Sequence, residues 1–187
     1  HCAPGRHKGG IMDMHEALER CIRTVPDFPI PGIQFRDITP VLANPVLMKQ
    51  ITESFAESVV EAEPTAVAGP EARGFIFGPL LAAKLDCPFI PIRKPGKLPS
   101  DTLSVAYELE YGTNTLEMHK DALDHKDRVI IVDDLLATGG TIQAAISLIG
   151  GTGAQTVGTC FVIELLGLNG RDRIEPIPIH SLIALPA

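Results

Sequence analysis

Asp133 and Asp134 stand side by side after the aliphatic run Val129-Ile-Ile-Val132, and Ala137-Thr-Gly-Gly-Thr141 follows at once. Adjacent carboxylates do not bind phosphate. They accept hydrogen bonds from two vicinal sugar hydroxyls, or help to hold a Mg2+ that those hydroxyls share with a pyrophosphate. The run behind them has the opposite taste. Gly139 and Gly140 let the backbone approach a ligand closely, and a helix beginning there would offer free N–H groups and a partial positive charge. Thr138 and Thr141 add hydroxyl donors, and Ala137 opens the run with a small side chain. Read from front to back, the segment suits a ribose 5-phosphate, from hydroxyls to phosphate. No Gly-Lys-Ser/Thr follows, and Gly139-Gly140 lacks G-x-G-x-x-G spacing, so neither the P-loop nor the dinucleotide fingerprint applies.

Other chemically capable residues lie upstream. Glu71-Ala72-Arg73-Gly74 stands between a predicted strand and a predicted helix, where backbone N–H groups and Arg73 can hold a pyrophosphate. Arg93, Lys94 and Lys97 form a basic cluster among glycine and proline. Phe35 can lend an aromatic face to a purine. Glu108, Glu110 and Glu117 are carboxylates on one predicted hairpin, and residue type alone does not choose a general base among them.

The elements that must position these groups are legible in outline. Apolar spacing predicts a helix over 15–25, and Pro26, Pro29 and Pro31 then predict a stiff, irregular strap up to Asp37. Asn44-Pro45 predicts a helix start, with a buried stripe running to about Glu63. Strands are predicted over 65–69, 89–93, 129–132 and 156–163, and helices over 74–85 and 141–149. Alternation over 105–119 predicts a β-hairpin projecting as an arm. Strands alternating with helices imply an α/β fold, a parallel sheet with helices on both faces, and ligands in such sheets sit beyond the carboxyl ends of the strands.

Composition narrows the class. A chain of 187 residues suits one domain, and at 5% aromatic residues without Trp its core must be aliphatic. The net charge of -7 argues against a nucleic-acid partner, while leaving room for an anion bound by local cations. No apolar run reaches the roughly 20 residues of a membrane span. Cys2, Cys21, Cys87 and Cys160 lack metal-site spacing and read as free thiols of a cytoplasmic protein. Residues 1–11 are polar, glycine-rich and aperiodic, and read as a leader or tag ahead of a domain over 12–187.

Together these segments resemble one family. Val129 to Thr141 is similar to the phosphoribosyl pyrophosphate signature of type I phosphoribosyltransferases. Pro26 to Pro40 resembles the hood of adenine phosphoribosyltransferases, Glu71-Ala-Arg-Gly-Phe75 their pyrophosphate loop, and Arg93 to Pro99 with Leu109-Glu-Tyr-Gly112 their flexible arm. The resemblance implies a single-domain type I phosphoribosyltransferase fold with a hood at about 24–40 and an arm at about 94–119. It implies a homodimer, and Mg2+ held mainly through substrate and water with no direct protein ligand.

The implied reaction joins adenine and phosphoribosyl pyrophosphate into AMP and pyrophosphate. The resemblance assigns Glu110 as base and Arg73 as a catalytic cation. It gives Asp133, Asp134 and Ala137 to Thr141 to the phosphoribosyl group. Glu71, Ala72, Arg73, Arg93, Lys94 and Lys97 go to pyrophosphate, and Gln34, Phe35, Arg36 and Leu135 to adenine. Where the family often has Asp, this chain has Glu71. The rival expectations are transfer to another purine or to orotate, and a non-catalytic sensor of phosphoribosyl pyrophosphate.

Overall fold

A computed structural model describes residues 13–108 and 113–187 of the chain. Helix α1 (Met14–Cys21) buries Ala17, Leu18 and Cys21 and stops well before Val25. The next residues form strand β1 (Arg23–Pro26), which pairs antiparallel with β2 (Gln34–Asp37), setting Val25 opposite Phe35. The expected irregular strap is therefore a hairpin. Gly32 takes a φ of 91° and donates its N–H to Asp27 Oδ1 at 2.8 Å, which closes the proline-rich turn. The helical spacing of 22–25 is overruled by this cross-strand pairing.

Short helix α2 (Thr39–Leu42) leads to α3 (Pro45–Val59), and a 3-10 turn over Val60–Ala62 follows. Asn44 caps α3 as expected, its Oδ1 accepting the Leu47 N–H at 3.1 Å. Then come β3 (Ala66–Pro70), α4 (Gly74–Leu85) and β4 (Phe89–Ile92). The arm is the hairpin β5 (Thr102–Glu108) and β6 (Thr113–His119). The chain closes with β7 (Arg128–Leu136), α5 (Gly140–Gly151), β8 (Gln155–Leu166), α6 (Gly170–Ile174) and β9 (Ile179–Pro186).

Five strands make one parallel sheet in the order β4-β3-β7-β8-β9. Its middle strand explains the aliphatic run seen in the sequence. Ile130 and Val132 face a core built with α1, α3 and α4, while Val129 and Ile131 face a second core beneath α5 and the arm. A strand buried on both faces must be apolar at every position. β7 also continues to Leu136, with Asp133 opposite Phe161 and Leu136 opposite Glu164 on β8. The acidic pair thus lies inside the ladder, not beyond it, because pairing with a long β8 holds polar residues extended. α6 and β9 were not foreseen, since Pro176, Pro178 and Pro186 mask the strand pattern there.

Among the described residues no helix is long and apolar enough to cross a membrane. Cys87 and Cys160 are free, and burial pushes the Cys160 thiol up to about 12. Cys21 is buried on α1.

The α3 cap gives a stability prediction. Asn44→Ala removes the acceptor for the Leu47 N–H, and chemical denaturation is expected to show a loss of about 1 kcal/mol with an unchanged m-value.

Candidate active site

The C-terminal end of β7 and the turn into α5 form the centre of the site. Gly139 adopts a φ of 80°, which turns the chain from strand into helix and presents the first N–H groups of α5 to the space in front. A cavity of ≈ 190 Å³ lies there, lined by Arg73, Asp133, Asp134 and the run Leu135 to Ile142. A larger cavity of ≈ 320 Å³ is lined by Glu71, Ala72, Arg73, Lys94, Tyr107, Leu116, Asp133, Asp134 and Thr141. The two share Arg73, Asp133, Asp134 and Thr141. Residues expected to serve sugar phosphate and pyrophosphate therefore line neighbouring compartments that meet at the acidic pair.

The pair is electrostatically costly. Asp134 is 2% exposed, and its backbone N–H donates to Asp133 Oδ1 at 2.9 Å. Burial first, then the neighbouring Asp134 charge, pushes the Asp133 carboxyl well above the usual carboxylate range. Arg73 relieves part of this. Its Nε stands 2.6 Å from Asp134 Oδ2, a close ion pair. Among the described residues no cluster of three metal-binding side chains exists. Two adjacent carboxylates at the wall shared by both cavities suit a hydrated Mg2+ that completes its shell with water and ligand oxygens.

Arg73 also reaches the hood. Its guanidinium carbon lies 5.8 Å from the centroid of Phe35, which packs edge-on against Phe28 at 5.0 Å. Gln34 is exposed. Arg36 is occupied elsewhere, donating to Thr24 Oγ1 at 2.5 Å and to the Pro186 carbonyl at 2.6 Å. Its side chain thus pins β2 to β9.

The basic cluster is organised by carboxylates. Arg93 donates from Nε and Nη2 to Glu71 Oε2 at 2.9 and 2.8 Å, and Glu71 Oε1 accepts the Lys94 N–H at 2.7 Å. Burial opposes charge on Glu71, but the Lys94 N–H and the Arg93 guanidinium outweigh it and hold the carboxyl below its ordinary range. Lys94 lines the larger cavity, whereas Arg93 is committed to Glu71 and Lys97 is exposed. Glu117 Oε2 accepts the Gly96 N–H at 3.0 Å, which gives that carboxylate a structural task. Glu110 lies outside the described residues, as does the side chain of Glu108.

Two neighbours of the site were not singled out from sequence. Tyr107 lines the larger cavity and meets Thr141, and strict alternation along β5 was the signal that it points inward. Gly170 packs behind the β7–α5 turn so closely that a Cβ there would stand 2.1 Å from the Ala137 carbonyl oxygen. Only the fold brings those two residues together.

A sugar-sized acidic pair beside a helix-start anion cup, on a parallel sheet, points to one class of domain, and the model of the phosphoribosyl transferase domain matches residues 38–180. An adenine phosphoribosyltransferase from Synechococcus sp. is 54% identical over 167 residues, covering 89% of this chain and 98% of the relative. The crystal structure of adenine phosphoribosyltransferase from Thermoanaerobacter pseudethanolicus superposes with a TM-score of 0.89 at 48% identity, covering 91% of this chain and 99% of that one. The Saccharomyces cerevisiae enzyme, complexed with adenine and an imino-altritol bisphosphate, superposes with a TM-score of 0.87 at 37% identity, covering 92% and 100%. The chain belongs to the adenine phosphoribosyltransferase family.

The raised Asp133 carboxyl predicts a trade between stability and activity. The native state binds more protons here than the unfolded chain, so ionising Asp133 removes stability as pH climbs from the ordinary carboxylate range through the raised folded-state value. Asp133→Asn keeps the oxygen that accepts the Asp134 N–H but loses the charge. Its Tm at neutral pH is expected to rise by about 2–4 °C, corresponding to about 1 kcal/mol, while turnover falls roughly 100-fold. A lower Tm in thermal melts would contradict the electrostatic account.

Proposed function

We propose that this protein transfers the 5-phosphoribosyl group of phosphoribosyl pyrophosphate to adenine, releasing AMP and pyrophosphate. The observation that carries the reading is the pair of cavities meeting at Asp133, Asp134 and Arg73. A sugar C1 placed at that meeting point has a phosphate cup on one side and a cationic loop on the other.

The C1–O bond to pyrophosphate breaks with both electrons leaving on pyrophosphate, and adenine N9 supplies the pair that makes the new C1–N bond. The proton on N9 leaves to Glu110, the family's match in the Leu-Glu-Tyr-Gly segment. Arg73 and Lys94 face the departing charge, and the α5 N-terminus with Thr138, Gly139, Gly140 and Thr141 holds the 5-phosphate. Ala137 supplies cup backbone, and Glu71 and Ala72 form the wall of the leaving-group compartment. Arg93 acts by fixing Glu71, and Lys97 belongs to the same turn. Asp133 and Asp134 accept from the ribose hydroxyls and favour positive charge growing at C1. When bound, Mg2+ would neutralise pyrophosphate oxygens while the two aspartates hold it through water and substrate.

Adenine is taken between Phe35 and Leu135, with the backbone around Gln34 and Arg36 reading its edge. An exocyclic amine donates to a backbone carbonyl, whereas the oxo group of hypoxanthine would set two acceptors against each other. That mismatch costs roughly 1–3 kcal/mol. The adenine bound by the yeast relative supports this choice. We place the protein in the cytoplasm, because a multiply charged pyrophosphate ester does not cross a bilayer unaided.

A homodimer is supported by α4, whose apolar Pro79, Leu80 and Ala83 remain exposed beside Lys84. Light scattering is expected to give twice the 20.0 kDa chain mass, and Leu80→Glu to shift the population toward monomer.

The reaction is tested by offering phosphoribosyl pyrophosphate, Mg2+ and a panel of bases. AMP from adenine alone is expected; nucleotide from hypoxanthine, guanine or orotate would favour another transferase, and binding without turnover a sensor. Glu110→Gln is expected to lower kcat at least about 100-fold with adenine affinity retained.

A further inference from the structure

Tyr107 is the last described side chain on β5 before the segment that carries Glu110. It lies half-buried on the inward face of the strand, in line with Leu103 and Val105, against the core beneath α5. The strand runs along α5 so that Leu103 lies by Gly151 at one end and Tyr107 reaches Thr141 at the other. There the Thr141 hydroxyl donates to Tyr107 Oη at 3.3 Å. Thr141 is shared by both cavities, so the contact joins the arm to the phosphate cup.

From this geometry we infer that Tyr107 is a positioning residue for the 5-phosphate, acting through the Thr141 hydroxyl. The inference rests on the reading of Gly139 to Thr141 as that phosphate's cup. A hydroxyl has one hydrogen and two lone pairs, and a phosphate dianion is an acceptor only. When phosphate fills the cup, the Thr141 hydrogen turns from Tyr107 to the anion. A lone pair of Thr141 then accepts the Tyr107 O–H, and the two hydrogen bonds form a chain in which each polarises the next. The tyrosine hydroxyl thus keeps Thr141 aimed at the phosphate and gives the arm a direct contact with a group that senses it.

The test is a double-mutant cycle read by calorimetric titration of ribose 5-phosphate into the full chain. Tyr107→Phe keeps the packed ring and is expected to weaken binding about fivefold, the loss of one ordinary hydrogen bond. Thr141→Val keeps shape and removes the hydroxyl, and is expected to weaken binding more. The double variant is expected to match Thr141→Val, because Tyr107 has nothing left to orient. Wild-type affinity in Tyr107→Phe, or the same fold-loss from it in both backgrounds, would overturn the inference while leaving the cup in place. Wild-type affinity in Thr141→Val would instead remove the phosphate-cup reading, and the inference with it.

Discussion

Two carboxylates on consecutive residues of a buried strand repel one another, and the surroundings of the site are arranged against that repulsion. Asp134 is nearly inaccessible and Asp133 is pushed toward protonation by burial and by its neighbour. Arg73 sits at the N-terminus of α4 and pairs with Asp134 at 2.6 Å, which offsets part of the cost. The same guanidinium lies against Phe35, so one side chain connects the acid pair, the start of α4 and the β1–β2 hairpin. An incompletely compensated charge of this kind is destabilising at rest and useful when a cation or a developing positive charge arrives.

Around that centre the cations are governed by other carboxylates. Glu71 takes Arg93 with two N–H donors and the Lys94 backbone with a third, and Glu117 holds Gly96. A chain with a net charge of -7 thereby keeps a basic turn beside an anion-sized cavity. Glu71 spans to Arg93 by itself.

The turn from β7 into α5 has support from the far end of the chain. Gly170 presses on Ala137 and Gly139, and α6 behind it is tied down by Arg171, which donates to both oxygens of Glu164 at 3.0 and 2.6 Å. Glu164 in turn accepts from Ser181 on β9 at 2.7 Å. The backbone of that turn is thus held from behind by α6, β8 and β9.

The order strand, acidic pair, glycine-threonine run, helix was legible in the sequence because each part obeys a local rule. Burial on both faces demands an unbroken aliphatic run, Asn44 caps the residues directly after it, and alternation along 105–119 declares a hairpin. The bounds of α4 matched for the same reason. What the sequence left open are meetings between distant segments: β1 closing on β2 through a proline-rich turn, β7 drawn out to Leu136 by β8, and Arg93 taken up by Glu71. Arg73 between Asp134 and Phe35, Gly170 behind Ala137, and Tyr107 on Thr141 belong to the same set. The types and periods of residues encode local hydrogen bonding and the direction of burial. Which distant groups share a space is decided only when the whole sheet assembles and the cost of burying their charges is settled together.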